Sequence, residues 1–352
     1  MLSVNERISA FANLGIHLHS FVSQHFPIKE NQVSRFSGFE NAIRQSINAN
    51  KWFTEESILQ SLKGIIKLLE KDKLENWISD CPLQDVNQTK VVAVIMAGNI
   101  PLVGFHDFLS VLVSGHSFLG KLSSDDALLL PAIAEMLVNI QPEFKPLIRF
   151  TSNKITDFEA VIATGSNNSA RYFEYYFGKY PHIIRKNRNS IAILNGTESD
   201  EDMKALADDI FMYFGLGCRN VSKLYIPESF DLKLLLPQFE GYEQVKNHSR
   251  YFNNYEYNKA IYLINSIPHL DNGFLLVKED TSLASPVSVI HFERYSNTDS
   301  LKDLINWQQD EIQCIVSKEG QWNNSFPFGA AQYPEVSDYA DGIDTLLFLS
   351  QL

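Results

Sequence analysis

Cys218 lies in the segment Phe214-Gly215-Leu216-Gly217-Cys218-Arg219-Asn220, between a helical pattern and an apolar strand pattern around Leu224. A thiolate is a strong nucleophile, and Arg219 with nearby backbone amides would favour that ionised form. Glycines at 215 and 217 let a ligand approach the backbone closely. The alternative is a small buried apolar cysteine, the usual state of a lone cysteine. Cys81 and Cys314 have no comparable surroundings and take that second reading.

Asn99, in Gly98-Asn99-Ile100-Pro101, follows the apolar run at residues 91–96. An amide at the carboxyl end of a buried strand faces the ligand crevice of a doubly wound sheet and can donate to an oxyanion. The same four residues are also plain turn chemistry. Thr164-Gly165-Ser166-Asn167 stands between a strand pattern and a helix pattern. Amides at a helix start bind phosphate and Gly165 permits close approach, although an ordinary helix cap looks the same. Lys121 ends another strand pattern and precedes Ser123 and Ser124, a set suited to a ribose or phosphate, or simply to water. The Gly-x-Gly-x-x-Gly dinucleotide fingerprint does not occur.

The elements that must position these groups alternate. Residues 91–96 form a short continuous apolar run, the mark of a strand buried on both faces. An apolar helix runs to about Gly115, then come a strand at 117–121, a helix at 126–140, a strand at 160–164 and a helix at about 168–177. This alternation predicts an α/β fold with a parallel, doubly wound sheet. After Arg188 a second α/β unit opens with a strand at 190–194, a helix at 200–214 and a strand at 224–226 ended by Pro227. Further strands are expected at 260–264, 273–277 and 287–292.

Before residue 90 the pattern is helical. Ile8, Phe11, Leu14, Leu18, Phe21 and Val22 share one face, and a second helix starts after the cap Thr54 with the stripe Ile58, Leu62, Ile65, Ile66 and Leu69. The charged run at 70–73 reads as that helix's solvated end. The expected division is 1–188 for the N-terminal helices and cofactor-binding domain, 189–325 for the cysteine-bearing domain, and 326–352 for a tail returning to the core or to a subunit interface.

The chain has 352 residues, 30 Lys and Arg against 42 Asp and Glu, and a net charge of −12. That balance argues against nucleic acid as a partner, because phosphate contacts need clustered bases. The one basic run, Arg185-Lys186-Asn187-Arg188, suits a smaller anion at most. Three cysteines without short spacing give no zinc framework, and His17 and His19 would point to different helix faces, so no metal site is expected. No leader pattern and no bilayer-length apolar run is visible, which leads to the expectation of a cytoplasmic protein.

Taken in order, Asn99 with Pro101, Lys121, Gly165-Ser166 and Cys218 resemble the aldehyde dehydrogenase superfamily. The likeness is closer to the LuxC-type fatty acyl-CoA reductases, on Ala97-Gly98-Asn99-Ile100-Pro101-Leu102, Gly217-Cys218-Arg219 and the closing Asp338-Tyr339-Ala340-Asp341-Gly342. It covers about residue 90 to the end. The resemblance implies an acyl-enzyme on Cys218, an oxyanion held by the Asn99 amide and the Cys218 N–H, and a nicotinamide cofactor. Lys121, Ser123, Ser124, Gly165 and Ser166 would stand at that cofactor.

Departures from the superfamily pattern sharpen the expectation. The superfamily's general-base glutamate is replaced by Arg185-Lys186-Asn187-Arg188-Asn189, which has no carboxylate to activate water. Its ribose-binding glutamate is also missing, with Ser282-Leu283-Ala284-Ser285-Pro286 at the matching place. Ser124 stands where NAD-specific members often carry a glutamate, which favours NADPH while leaving NADH open. The expected substrate is an acyl-CoA or an acyl-protein thioester. The resemblance also implies a homodimer or homotetramer and an acyl-activating partner protein. A short-chain acylating aldehyde dehydrogenase, a thioesterase or acyltransferase using Cys218, and a non-catalytic scaffold of the same fold are the alternatives.

Overall fold

A computed structural model describes residues 2–27, 36–79, 81, 83 and 88–352, with only the backbone of His25. The chain forms two units, one of residues 1–187 and 334–352, the other of residues 188–333.

The first unit opens with four helices. Helix α1 (Val4–His25) begins in a capping box, with Ser3 and Glu6 satisfying each other's backbone N–H groups. It buries Ile8, Phe11, Leu14, Leu18 and Phe21. Helix α2 (Ser37–Ala49) escapes the sequence reading because it has no side-chain cap and a short apolar stripe around Phe39 and Ile43. Helix α3 (Glu55–Leu68) starts at the Thr54 cap as expected. The charged run at 70–73 is not a solvated helix end. It opens a further helix, α4 (Lys71–Ser79), which buries Leu74 and Trp77.

The rest of the unit alternates strand and helix. Its elements are β1 (Val91–Ile95), α5 (Phe105–Val113), β2 (Ser117–Lys121), α6 (Leu129–Ile140), β3 (Ile148–Thr151), β4 (Ala160–Thr164), α7 (Asn167–Phe177) and β5 (His182–Arg185). The five strands are all parallel in the order β3-β2-β1-β4-β5. Strand β1 is central, which is why Val92, Ala93 and Val94 are buried and the strand lacks polar alternation. Connections run one way from β1 to β2 and β3, and the other way to β4 and β5. That reversal makes the carboxyl ends of β1 and β4 a topological switch point.

The second unit holds β6 (Asn189–Ile193), α8 (Asp200–Phe211), β7 (Val221–Pro227), α9 (Ser249–Ile264), β8 (Leu270–Asp271), β9 (Leu276–Glu279), β10 (Val289–Tyr295), α10 (Thr298–Trp307), β11 (Ile312–Ser317) and β12 (Ser325–Pro327). The seven strands run in the order β12-β11-β6-β7-β10-β9-β8, parallel except for the β8–β9 pair. Residues 260–264 are not a strand. They end α9, whose Tyr251, Tyr255, Asn258 and Tyr262 are buried at helical spacing while Leu263 and Ile264 are exposed. The expected strand at 273–277 starts only at Leu276.

The tail divides between the units. Residues 326–333 stay with the second unit, and 334–352 return to the first, where α11 (Thr345–Ser350) packs against α5.

Candidate active site

Three of the segments singled out in sequence lie at neighbouring strand ends of the first sheet. Lys121 is the last residue of β2, Asn99 follows β1, and Gly165 follows β4. The loop bearing Asn99 is fixed at several points. Met96 N–H donates to the Lys121 carbonyl at 3.3 Å. The Ser61 hydroxyl donates to the Pro101 carbonyl at 2.9 Å, and the Leu102 N–H donates to Asp126 Oδ2 at 2.7 Å. A Cβ on Gly98 would lie 2.5 Å from Ser123 Oγ and 2.8 Å from Ser123 Cβ. Only glycine lets the Asn99 loop lie directly on the Ser123–Ser124 turn, so the fold brings these predicted residues together.

Asp126 is the residue that sequence reasoning missed here. It is buried, and desolvation pushes its carboxyl up to about 6 despite the backbone N–H of Leu102 that it accepts. Its neighbour Asp125 is tied down separately, with its carbonyl accepting from Asn50 Nδ2 at 3.1 Å. Lys121 directs its ammonium to the Ser152 carbonyl across the end of β3.

Gly165 and Ser166 carry structural roles of their own. A Cβ at 165 would meet the Phe173 ring and Ser169 Cβ, both at 2.9 Å, so glycine there lets α7 pack onto the end of β4. Ser166 caps α7, its hydroxyl accepting the Ser169 N–H at 3.2 Å. The basic run is not an anion site as a unit. Arg185 is buried, paired in two contacts with Asp107 at 2.7 and 2.9 Å, and also donates to Thr345 Oγ1 at 2.8 Å. Asp107 lies on α5 and Thr345 opens α11, so this charge holds the core together.

The closing Asp338–Gly342 segment belongs to the first unit. Trp77 Nε1 donates to the Tyr339 hydroxyl at 2.7 Å, and a His106 Nε2 hydrogen bond reaches the Val336 carbonyl at 2.8 Å. Burial lowers the His106 pKa, which keeps a neutral ring there.

In the second unit, helix α8 ends at Phe211 and not at 214. Tyr213, Phe214 and Gly215 all take left-handed φ values of 54°, 58° and 75°. Two non-glycine residues in that region cost about 1–2 kcal/mol each, so the approach to Cys218 is strained. Gly217 to Asn220 then form a turn, with Asn220 N–H donating to the Gly217 carbonyl at 3.0 Å. Cys218 occupies its second position and is partly exposed.

The turn is held from three sides. Ser190 donates its hydroxyl to the Cys218 carbonyl at 2.9 Å and accepts the Cys314 N–H at 3.2 Å. The Asn220 side chain accepts the Gly217 N–H at 2.8 Å and donates to the carbonyls of Asp209, Ile210 and Met212. Arg219 donates to the Ala331 carbonyl and lies 4.7 Å from the Phe326 ring centre. Asp209 in turn accepts the Gly329 and Ala331 N–H groups at 2.7 and 3.0 Å, and its burial pushes its carboxyl up to about 7. Ser190, Asp209 and Asn220 are all buried. Ser190 and Asp209 were not visible in sequence as part of the site, because their partners are distant in the chain, and Asn220 was named there only as a neighbour of Cys218 with no role.

Among the described residues no helix is long and apolar enough to cross a membrane, and no group of His, Cys, Asp and Glu is arranged to hold a metal ion. His17 makes a local hydrogen bond through Nδ1 to the Asn13 carbonyl at 2.8 Å.

Comparisons with known proteins agree with this architecture. The family described as acyl-CoA reductase (LuxC) matches residues 21–232. That span is more than half of the chain. It includes part of the N-terminal helices and every site residue discussed from Asn99 to Cys218, and it stops short of the Asp338–Gly342 segment. No curated protein sequence matches the chain. Among solved structures, an NADP-dependent enzyme of E. coli is 12% identical with a TM-score of 0.62, covering 94% of this chain and 76% of that one. An NAD+ complex of an aldehyde dehydrogenase from Bacillus cereus is 12% identical with a TM-score of 0.61, covering 90% and 72%. Aldehyde dehydrogenase C of Pseudomonas syringae, solved with NAD+ and octanal, is 11% identical with a TM-score of 0.59, covering 90% and 76%. At these identities the likeness is one of fold, the aldehyde dehydrogenase fold.

Proposed function

The chain belongs to the acyl-CoA reductase (LuxC) family, and on that premise we propose that it reduces a fatty acyl-CoA, or an acyl-protein thioester, to the aldehyde with NADPH through an acyl-enzyme on Cys218. The observation that carries the reading is the strained, triply held turn that presents Cys218 inside the span matched by the family.

The Cys218 thiolate attacks the thioester carbonyl, and the oxyanion so formed accepts the Cys218 N–H, with the Asn99 amide as the second donor that the family resemblance implies. Collapse breaks the bond to the departing thiol, which leaves as CoA thiolate, and the acyl group remains on Cys218. When bound, a reduced nicotinamide would be the hydride source for reducing that acyl carbonyl. The carbon–sulfur bond to Cys218 then breaks, the aldehyde leaves, and the thiolate is restored. One acyl thioester, one reduced nicotinamide and one proton give one aldehyde, one free thiol and one oxidised nicotinamide.

The chain's own residues suit that cofactor. Lys121, Ser123 and Ser124 would meet its adenosine ribose, and Gly165 with Ser166 would shape the wall beside it. The fit rests on the switch point at β1 and β4, and on the Gly98 contact that sets the Ser123–Ser124 turn against the Asn99 loop. Ser124 carries no negative charge against a 2′-phosphate, which favours NADPH. The cofactors named for the solved relatives include both NADP and NAD+.

Reduction fits better than hydrolysis. The stretch 185–189 offers no carboxylate, and two of its basic residues are engaged: Arg185 by Asp107, and Arg188 by the carbonyls of Gln309 and Ile312. Without a base, water attacks a thioester slowly. We further propose a homodimer or homotetramer served by an acyl-activating partner protein. The test is NADPH oxidation by purified protein across an acyl-CoA chain-length series. Oxidation matched by aldehyde, and lost in Cys218→Ala, is expected. Equal oxidation in Cys218→Ala would overturn the proposal.

A further inference from the structure

We propose that Asn220 is a positioning residue for the nucleophile, fixing Cys218 by bridging its turn to the end of helix α8. The inference rests on the reading of Cys218 as the nucleophile. Asn220 is buried, and its side-chain oxygen accepts the Gly217 N–H at 2.8 Å. Its amide nitrogen donates to the Met212 carbonyl at 2.8 Å, the Asp209 carbonyl at 3.0 Å and the Ile210 carbonyl at 3.4 Å. Those three carbonyls are at the end of α8, where the helix leaves acceptors without intrahelical donors.

The segment that Asn220 spans is the strained one. Tyr213 and Phe214 keep left-handed backbone without being glycine, and such conformations persist only where the surroundings over-determine them. The bonds from Asn220 close that segment at both ends, Met212 before it and Gly217 after it. A second circuit meets the first at Asp209. Its carboxyl holds the Gly329 and Ala331 N–H groups, and the Ala331 carbonyl accepts from Arg219, the residue next to Cys218. Cys218 is therefore followed by two residues, Arg219 and Asn220, that are both tied back to α8.

Asn220 carries no charge, so its loss displaces the thiol without altering the charge beside it. A displacement of about 1 Å at a reacting group costs on the order of a hundredfold in rate. The test compares wild type with Asn220→Ala and Asn220→Ser in steady-state reduction of one acyl-CoA, with hydrogen exchange followed by peptide mass spectrometry. We expect kcat per folded enzyme to fall about a hundredfold in Asn220→Ala and less in Asn220→Ser, with KM within about threefold of wild type. Exchange should quicken at least tenfold in peptides covering 212–220 and stay unchanged in both sheets. Wild-type kcat in both variants, or a fall explained wholly by lost folded protein, would overturn the inference. The arm that needs no variant is the wild-type protein itself, in which the Gly217 and Asn220 amides should be protected; exchange at the unstructured rate would also overturn it. Wild-type protein that turns over no acyl-CoA would instead end the functional reading, leaving the exchange results to decide whether Asn220 holds the turn.

Discussion

The carboxylate of Asp126 accepts the backbone N–H of Leu102 at 2.7 Å from a buried position, joining the turn after β2 to the loop that carries Asn99. Burial raises its pKa from 3.8 to about 6. A raised carboxyl pKa means that the folded protein binds more protons than the unfolded chain between those values, so stability falls as pH rises from about 4 to 6 and is level above. Asp126→Asn keeps one acceptor for Leu102 and removes the charge. It should therefore gain stability relative to wild type between pH 4.5 and pH 8, by about 2 kcal/mol. Thermal unfolding of both proteins at the two pH values checks this; an equal difference at both would contradict it.

Arg185 and Asp107 form a buried ion pair, so removing one partner should be far worse than removing both. Arg185→Ala leaves a buried carboxylate and should cost about 3–5 kcal/mol. The double variant Arg185→Met/Asp107→Leu should recover much of that loss. Denaturant midpoints decide the matter, and a double variant no better than Arg185→Ala would contradict it.

Asn99→Ala should lower kcat about a hundredfold, the scale of one lost oxyanion donor, with little change in KM. A rise in KM at constant kcat would assign Asn99 to the turn alone.

Ser124→Glu places a carboxylate beside the proposed site of the 2′-phosphate. KM for NADPH should rise about tenfold or more, corresponding to about 1.4 kcal/mol, while KM for NADH stays near its starting value. Equal effects on the two cofactors would remove Ser124 from that role.

The first sheet was legible because its central strands are buried on both faces and read as unbroken apolar runs, Val91 to Ile95 and Ala160 to Thr164. The second unit was less so. In Ala260-Ile261-Tyr262-Leu263-Ile264 an apolar run imitates a strand, and only the burial of Tyr255, Asn258 and Tyr262 at helical steps reveals α9. Helix α8 reads through to Phe214 in sequence, because nothing in two aromatic residues announces left-handed backbone. The predicted site residues were readable as residue types at strand and helix ends. The residues that hold them were not: Asp209, Ser190 and Asp126 act on backbone groups distant in sequence, and Asn220, though two places from Cys218, shows in its residue type nothing of its bonds to the end of α8.

The central claim is that Cys218 carries the acyl group. The most direct test is to mix purified protein with a long-chain acyl-CoA in the absence of reduced nicotinamide and measure the intact mass and its peptides. One acyl group per chain, on the peptide containing Cys218, sensitive to hydroxylamine and missing in Cys218→Ala, is the predicted result. No adduct at Cys218, or an equal adduct in Cys218→Ala, would contradict the account.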